Sequence, residues 1–158
     1  MKGDPEVLKV LGDVLAAELT AINQYFVHYR LCEGWGYKKL AEKKKEESIE
    51  EMRDADAIMS RIVFFDGIPN MMRMNPVKVG EDPIEQHKVD LQLELDAVKR
   101  LNDGIAVCVA KGDNGTRELL EKILKGEEAA VDWLEAQLHL VDQIGRENYL
   151  TEHIRDEE

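Results

Sequence analysis

Four prolines, eleven glycines, two cysteines and 6% aromatic residues are all that this 158-residue chain holds of the residue types that break helices, staple small folds or stack on bases. With so few breakers, long uninterrupted helices are open to it. Cys32 and Cys108 lie far apart with no Cys-x-x-Cys spacing, which excludes a disulfide framework and a cysteine-based zinc site. Isolated thiols of this kind are usually small buried hydrophobes. Positive charge is also short, with 21 Lys and Arg against 33 Asp and Glu and a formal net charge of -12. Such a surface repels a phosphate backbone, so nucleic acid is not an expected partner, whereas cations are. Long hydrophobic runs are missing too. Apolar stretches such as IAVCVA at 105–110 are far too short to span a bilayer, and the opening MKGDPEVLKV has no apolar signal core. The expectation is a cytoplasmic protein without membrane contact.

What is present is an amphipathic mixture, 44% hydrophobic and 34% charged. The length suits a single domain, 1–158, large enough to bury a core without disulfides or a structural metal. Asp4-Pro5 and Asp82-Pro83 both read as helix starts, with Asp as N-cap and Pro at the first helical position, where a missing N–H costs nothing. Glu85 completes a capping-box pattern with Asp82. The predicted helices run Pro5 to Glu33, Tyr37 to Asp66, Pro83 to Lys111 and, after a turn at 112–115, on to Ile144, where Gly145 stops the last. A short fifth helix is expected over Glu147 to Arg155. No internal repeat or low-complexity segment is evident.

The connection IPNMMRMNPVKVGED has no helical period. A helix of about 29 residues spans roughly 44 Å, and about 15 extended residues reach roughly 50 Å, so this linker can traverse the bundle. The second and third helices are then parallel while the other turns are short and antiparallel, which makes the expected fold all-α, a ferritin-like four-helix bundle with one long crossover and a short C-terminal fifth helix.

Steps of three and four residues give one inward stripe per helix: Val7, Leu11, Val14, Glu18, Ala21, Tyr25; then Leu40, Lys44, Glu47, Glu51, Asp54, Ile58; then Ile84, His87, Leu91, Glu94, Val98, Leu101; then Leu120, Ile123, Glu127, Ala130, Leu134. A glutamate interrupts every apolar stripe. One alone would read as an edge residue reaching solvent. Four on four helices, three near mid-helix and Glu127 nearer the start of its own, would be prohibitive to bury unless protonated, paired with cations or bound to metal. Four carboxylates offset two divalent ions and suit hard cations including Fe(II), and they follow the di-iron carboxylate pattern of helix bundles. That pattern also places a histidine three residues after two of the glutamates. Asp54 and Ala130 stand there instead, and none of His28, His87, His139 and His153 forms a Glu-x-x-His pair. Glu42, Glu46 and Glu50 form a second acidic row, equally consistent with a solvated face and with an iron-nucleating surface.

The opening MKGD, AINQYFVHYR at 21–30, ESIEEM at 47–52, GIPN at 67–70, GED at 80–82, LELD at 93–96 and DWLE at 132–135 closely resemble bacterioferritin, the haem-containing branch of the ferritin family. The resemblance implies a cytoplasmic iron-storage shell of twenty-four subunits, a di-iron centre in each bundle that oxidises Fe(II), b-type haem between paired subunits, and a ferredoxin-like reductant for iron release. It assigns Glu18, Glu51, Glu94 and Glu127 as metal ligands and Met52 as the haem axial ligand. Spacing turns Met52 about 100° from inward Glu51, toward another subunit, with Leu19, Ile22, Phe26, Ile49 and Met59 as a candidate apolar patch. On spacing alone a methionine there also serves as interface filler. Asp54 has the reach to bind a metal but adds negative charge; Ala130 binds nothing. Tyr25 and Trp133 lie near the site by spacing, as core packing or as electron shuttles.

Three functions are consistent with these residues. The preferred one is a haem-bearing storage subunit that coassembles with a subunit retaining a complete ferroxidase site. The others are a ferroxidase working through an altered, carboxylate-only centre, and a haem-binding structural oligomer.

Overall fold

The computed structural model of the chain describes residues 1–154 and not 155–158. Five helices follow one another: α1 (Pro5–Trp35), α2 (Lys38–Phe64), α3 (Pro83–Ala110), α4 (Asn114–Ile144) and α5 (Arg146–Thr151). α1 starts where Asp4 accepts hydrogen bonds from the Glu6 and Val7 N–H groups, ahead of Pro5. It runs through Gly34, past the expected stop at Glu33, and closes at Gly36. There φ is 90° and the Tyr37 N–H bonds back to the Cys32 carbonyl at 2.9 Å, a left-handed closure that a Cβ would strain.

α3 is capped by Asp82, which accepts from Ile84 and Glu85. The reciprocal arm of the expected capping box is displaced by one residue, because the Glu85 carboxylate accepts from the Glu81 N–H rather than from Asp82. α5 is shorter than expected. Its closing turn places the His153 carbonyl to accept from the Lys39 N–H, docking this end against the start of α2. Arg155, the predicted end of this helix, lies outside the described residues.

α1 and α2 form one antiparallel hairpin, registered by Ser48 Oγ donating to the Ile22 carbonyl at 2.9 Å. α3 and α4 form the other. Between them residues 65–82 run beside α1 in step with it. Arg73 bonds Asp13, the Asn75 N–H bonds Thr20, the Lys78 N–H bonds Gln24 and the Gly80 N–H bonds His28 Nε2 at 2.9 Å. The crossover therefore spans the bundle and leaves α2 and α3 parallel. Gly80 is required at its end, since a Cβ there would sit 2.4 Å from the Gln86 nitrogen.

The core is divided. One apolar cluster, around Leu11, Ile58, Leu101 and Leu120, fills the end nearest the chain's start. A smaller one, around Cys32, Leu40, Ile84 and Tyr149, fills the other. Truncating a fully buried residue such as Leu120 to Ala would cost about 2–5 kcal/mol. The buried glutamates Glu18, Glu51, Glu94 and Glu127 lie between the two clusters along their helices. Among the described residues no helix is long and apolar enough to cross a membrane.

Candidate metal centre

Glu18 on α1, Glu51 on α2, Glu94 on α3 and Glu127 on α4 are buried, none more than 3% exposed. One carboxylate oxygen each from Glu18, Glu51, Asp54 and Glu127 lies within 4.8 Å of all the others, a spacing that suits shared cations. Glu94 lines the same cavity as Glu18, Glu51 and Glu127. Its Oε1 accepts from the Tyr25 hydroxyl at 2.6 Å. Glu18 Oε2 and Glu94 Oε2 are buried without any hydrogen-bond partner. Unpaired buried carboxylate oxygens are costly, and a cation would satisfy both.

The carboxyls influence one another within each hairpin, Glu51 with Glu18 and Glu127 with Glu94. Burial, with repulsion from neighbouring acids, raises the pKa of all four, well above the usual range for Glu18, Glu51 and Glu127. Without metal, burial therefore favours their protonated forms. Asp54, half-buried, is pushed up to about 7 by desolvation and then by Glu50 and Glu94. Divalent cations compete with these protons for the same oxygens. Ala130, buried at 6% exposure, brings no donor to the Glu127 side.

A second polar cluster lies beside the first and is the part that sequence reasoning missed. Asp90, fully buried, accepts from Lys44 Nζ at 2.7 Å, from Gln24 at 2.9 Å and from His28 Nδ1. Burial alone would raise the Asp90 pKa, but Lys44 and His28 hold it down at about 2. Lys44 also bonds His87 Nδ1 at 3.0 Å, and His87 Nε2 meets the Tyr149 hydroxyl, which donates to Gln137. Desolvation and the adjacent Lys44 push His87 well below its ordinary value, so it stays neutral. Lys44 thus answers Asp90 rather than the glutamates. The signal was present in the three-residue step from His87 to Asp90; Leu91, one residue on, is apolar and read as the inward residue, yet it is only half-buried.

Tyr25 touches the centre through Glu94, while Trp133 stands off, edge-on to His87 at 5.5 Å. Glu42, Glu46 and Glu50 are exposed; Glu50 pairs with Arg53. Met52 is exposed at 43% on the outer side of α2, alongside exposed Phe26 and Ile49. The Ser48–Ile22 register brings Leu19 and Ile22 to the same level.

Residues 8–144 match the ferritin-like domain family. Bacterioferritin from Mycobacterium leprae is 47% identical over 149 residues, covering 94% of this chain and 94% of that one. Bacterioferritins from Brucella melitensis and Rhodobacter capsulatus are each 44% identical over 149 residues, covering 94% of this chain and 92% of theirs.

Proposed function

The chain belongs to the bacterioferritin family of ferritin-like proteins, and on that premise we propose that it is a storage subunit of a haem-binding, twenty-four-subunit cytoplasmic shell. Family and carboxylate-lined bundle together support iron storage as the general function, with iron as cargo. In this reading the shell also contains a second kind of subunit whose ferroxidase centre is complete, and a ferredoxin-like protein returns electrons for iron release.

The observation that carries coassembly is Ala130. On the Glu127 face no side chain takes the place of a nitrogen donor, because the helical neighbours at this level are Glu127 itself and apolar Leu134. Glu18, Glu51, Glu94 and Glu127 would hold iron through oxygen alone, with Asp54 as the added ligand on the first hairpin.

Met52 suits haem. A thioether held at an apolar surface is a competent axial ligand, and one chain supplies only one. A two-fold pairing of subunits would present the same residue twice. Bound haem would supply a one-electron relay between the outside and the stored mineral. Leu19, Ile22, Phe26 and Ile49 would shield its faces from water.

Oxygen-dependent Fe(II) oxidation by the purified chain, followed with an absorbance spectrum, tests this reading. Slow, non-saturating oxidation together with a haem band is expected; fast oxidation saturating at two irons per subunit would overturn the coassembly reading. One observation favours a second reading. The Asp54 carboxylate reaches the cluster, so a carboxylate-only centre that still oxidises iron is chemically coherent. It requires the Asp54→Ala variant to lose whatever oxidation the chain performs.

A further inference from the structure

A cleft of about 380 Å³ opens between α1 and α3 beside the crossover and ends on Glu18, Glu51, Glu94 and Glu127. Its floor is acidic, but its lip is not. Lys78, on the crossover, and half-buried Arg100, on α3, both line it, against Asp96. Neither Lys78 nor Arg100 forms an ion pair among the described residues, and Asp103, the next acid along α3, is taken by Lys99 at 3.0 Å. Two free cations at the mouth of a passage are a poor arrangement for admitting a bare divalent ion. They suit a ligand with a negative part.

We propose that the cleft is a bipartite site, in which the glutamates of the floor take iron and Lys78 with Arg100 take a small inorganic oxyanion beside it. The inference rests on the floor being a metal site, as read above. Two divalent ions would offset the four floor glutamates, leaving Lys78 and Arg100 against Asp96 in the lining and Asp54 outside it, so a loaded cleft draws an anion more than an empty one does. The volume admits a tetrahedral oxyanion together with metal. The polar wall residues Thr20, Gln24 and Gln92 are already engaged with Asn75, Asp90 and Asp96, which leaves Lys78 and Arg100 as the groups that would hold an anion. An oxyanion held there would lie in the same cleft as the metal, where its charge and that of the bound cations would favour one another. The orphaned Glu18 Oε2 and Glu94 Oε2 mark where the metal half would sit.

The test uses Co(II), which binds without oxidation, and inorganic phosphate as the oxyanion. Calorimetric titration of the assembled protein with Co(II) is run in chloride and in phosphate at equal ionic strength. Phosphate is expected to tighten Co(II) binding by about fivefold or more. The Lys78→Gln/Arg100→Gln variant should keep the chloride affinity and lose the phosphate effect. Both residues are unpaired and at least partly exposed, so the variant is expected to melt with the native protein. As a second readout, the phosphorus resonance of phosphate should broaden with Co(II)-loaded native protein and not with the variant. Co(II) binding that phosphate leaves unchanged, or changes equally in native and variant protein, overturns the oxyanion site while leaving the metal site standing. No Co(II) binding at the glutamates overturns both.

Discussion

The Lys44 ammonium lies 2.7 Å from Asp90 Oδ2, with neither side chain more than 1% exposed. Breaking a buried pair from one side strands the other charge in the interior, at about 3–5 kcal/mol. Lys44→Met is therefore expected to destabilise the chain by about that much in urea unfolding. Lys44→Met/Asp90→Asn should recover most of the loss, since an amide can still accept from Gln24 and His28. A double variant as unstable as the single one would mean that the pair stabilises by packing and not by charge.

The metal-free chain is expected to lose stability as pH rises. A carboxyl whose pKa is raised on folding binds its proton more tightly folded than unfolded, so its contribution is present at low pH and lost as pH climbs through the folded value. For Asp54 that window runs from 3.8 to about 7. The four glutamates act in the same direction. A melting-temperature profile should fall across this range without metal, and added Co(II) should raise it most at the upper end. Glu51→Gln, which removes one repelled charge, should gain about 2–4 °C at neutral pH for each ~1 kcal/mol relieved. A flat metal-free profile would contradict the burial of these acids.

Ala130→His restores a nitrogen donor one turn beyond Glu127. The larger side chain must fit at a buried position, for about 1–3 kcal/mol of lost stability. Stopped-flow measurement should nevertheless show Fe(II) oxidation faster by about tenfold or more, because a lost ligand-shell group typically costs 10–100-fold in metal affinity or activity. An unchanged rate would place the deficiency elsewhere, at Asp54 or in iron access.

Met52→Leu should leave the subunit folded, with less than about 1.5 kcal/mol of change, because the swap conserves volume at a half-exposed position. Haem should no longer copurify, and its absorbance bands should disappear. A variant that retains a native haem spectrum would remove Met52 from the axial position.

Much of the architecture was legible because two periodicities and two Asp-Pro starts carry it. The apolar steps and the breaker-rich segment between Phe65 and Asp82 were enough to place four helices and a crossover. The glutamates stood out because each lies on the inward stripe of its helix, three of them between apolar residues and Glu51 within a charged stretch of α2. Asp90 stands on an inward step from His87 but was passed over for Leu91, its apolar neighbour. A single aspartate next to a leucine reads as surface, and only the meeting of α1, α2 and α3 gives it Lys44, His28 and Gln24 as partners from distant parts of the chain. The cleft lip was hidden for the same reason, since Lys78 and Arg100 share no sequence pattern and meet only because the crossover lies against the bundle.

The two carboxyl pairs belong to two hairpins, and Glu51 follows Glu18 by the same number of residues as Glu127 follows Glu94. The bundle in this sense sets two like hairpins face to face, and they differ three residues beyond the second glutamate. Asp54 and Ala130 occupy the same place in each, one leaving a weak ligand and the other none. Cations would then fill the centre in sequence, the α1–α2 half before the α3–α4 half. Over the concentrations between those two steps the centre holds one ion, and a lone iron has a single electron to give where a matched pair gives two together.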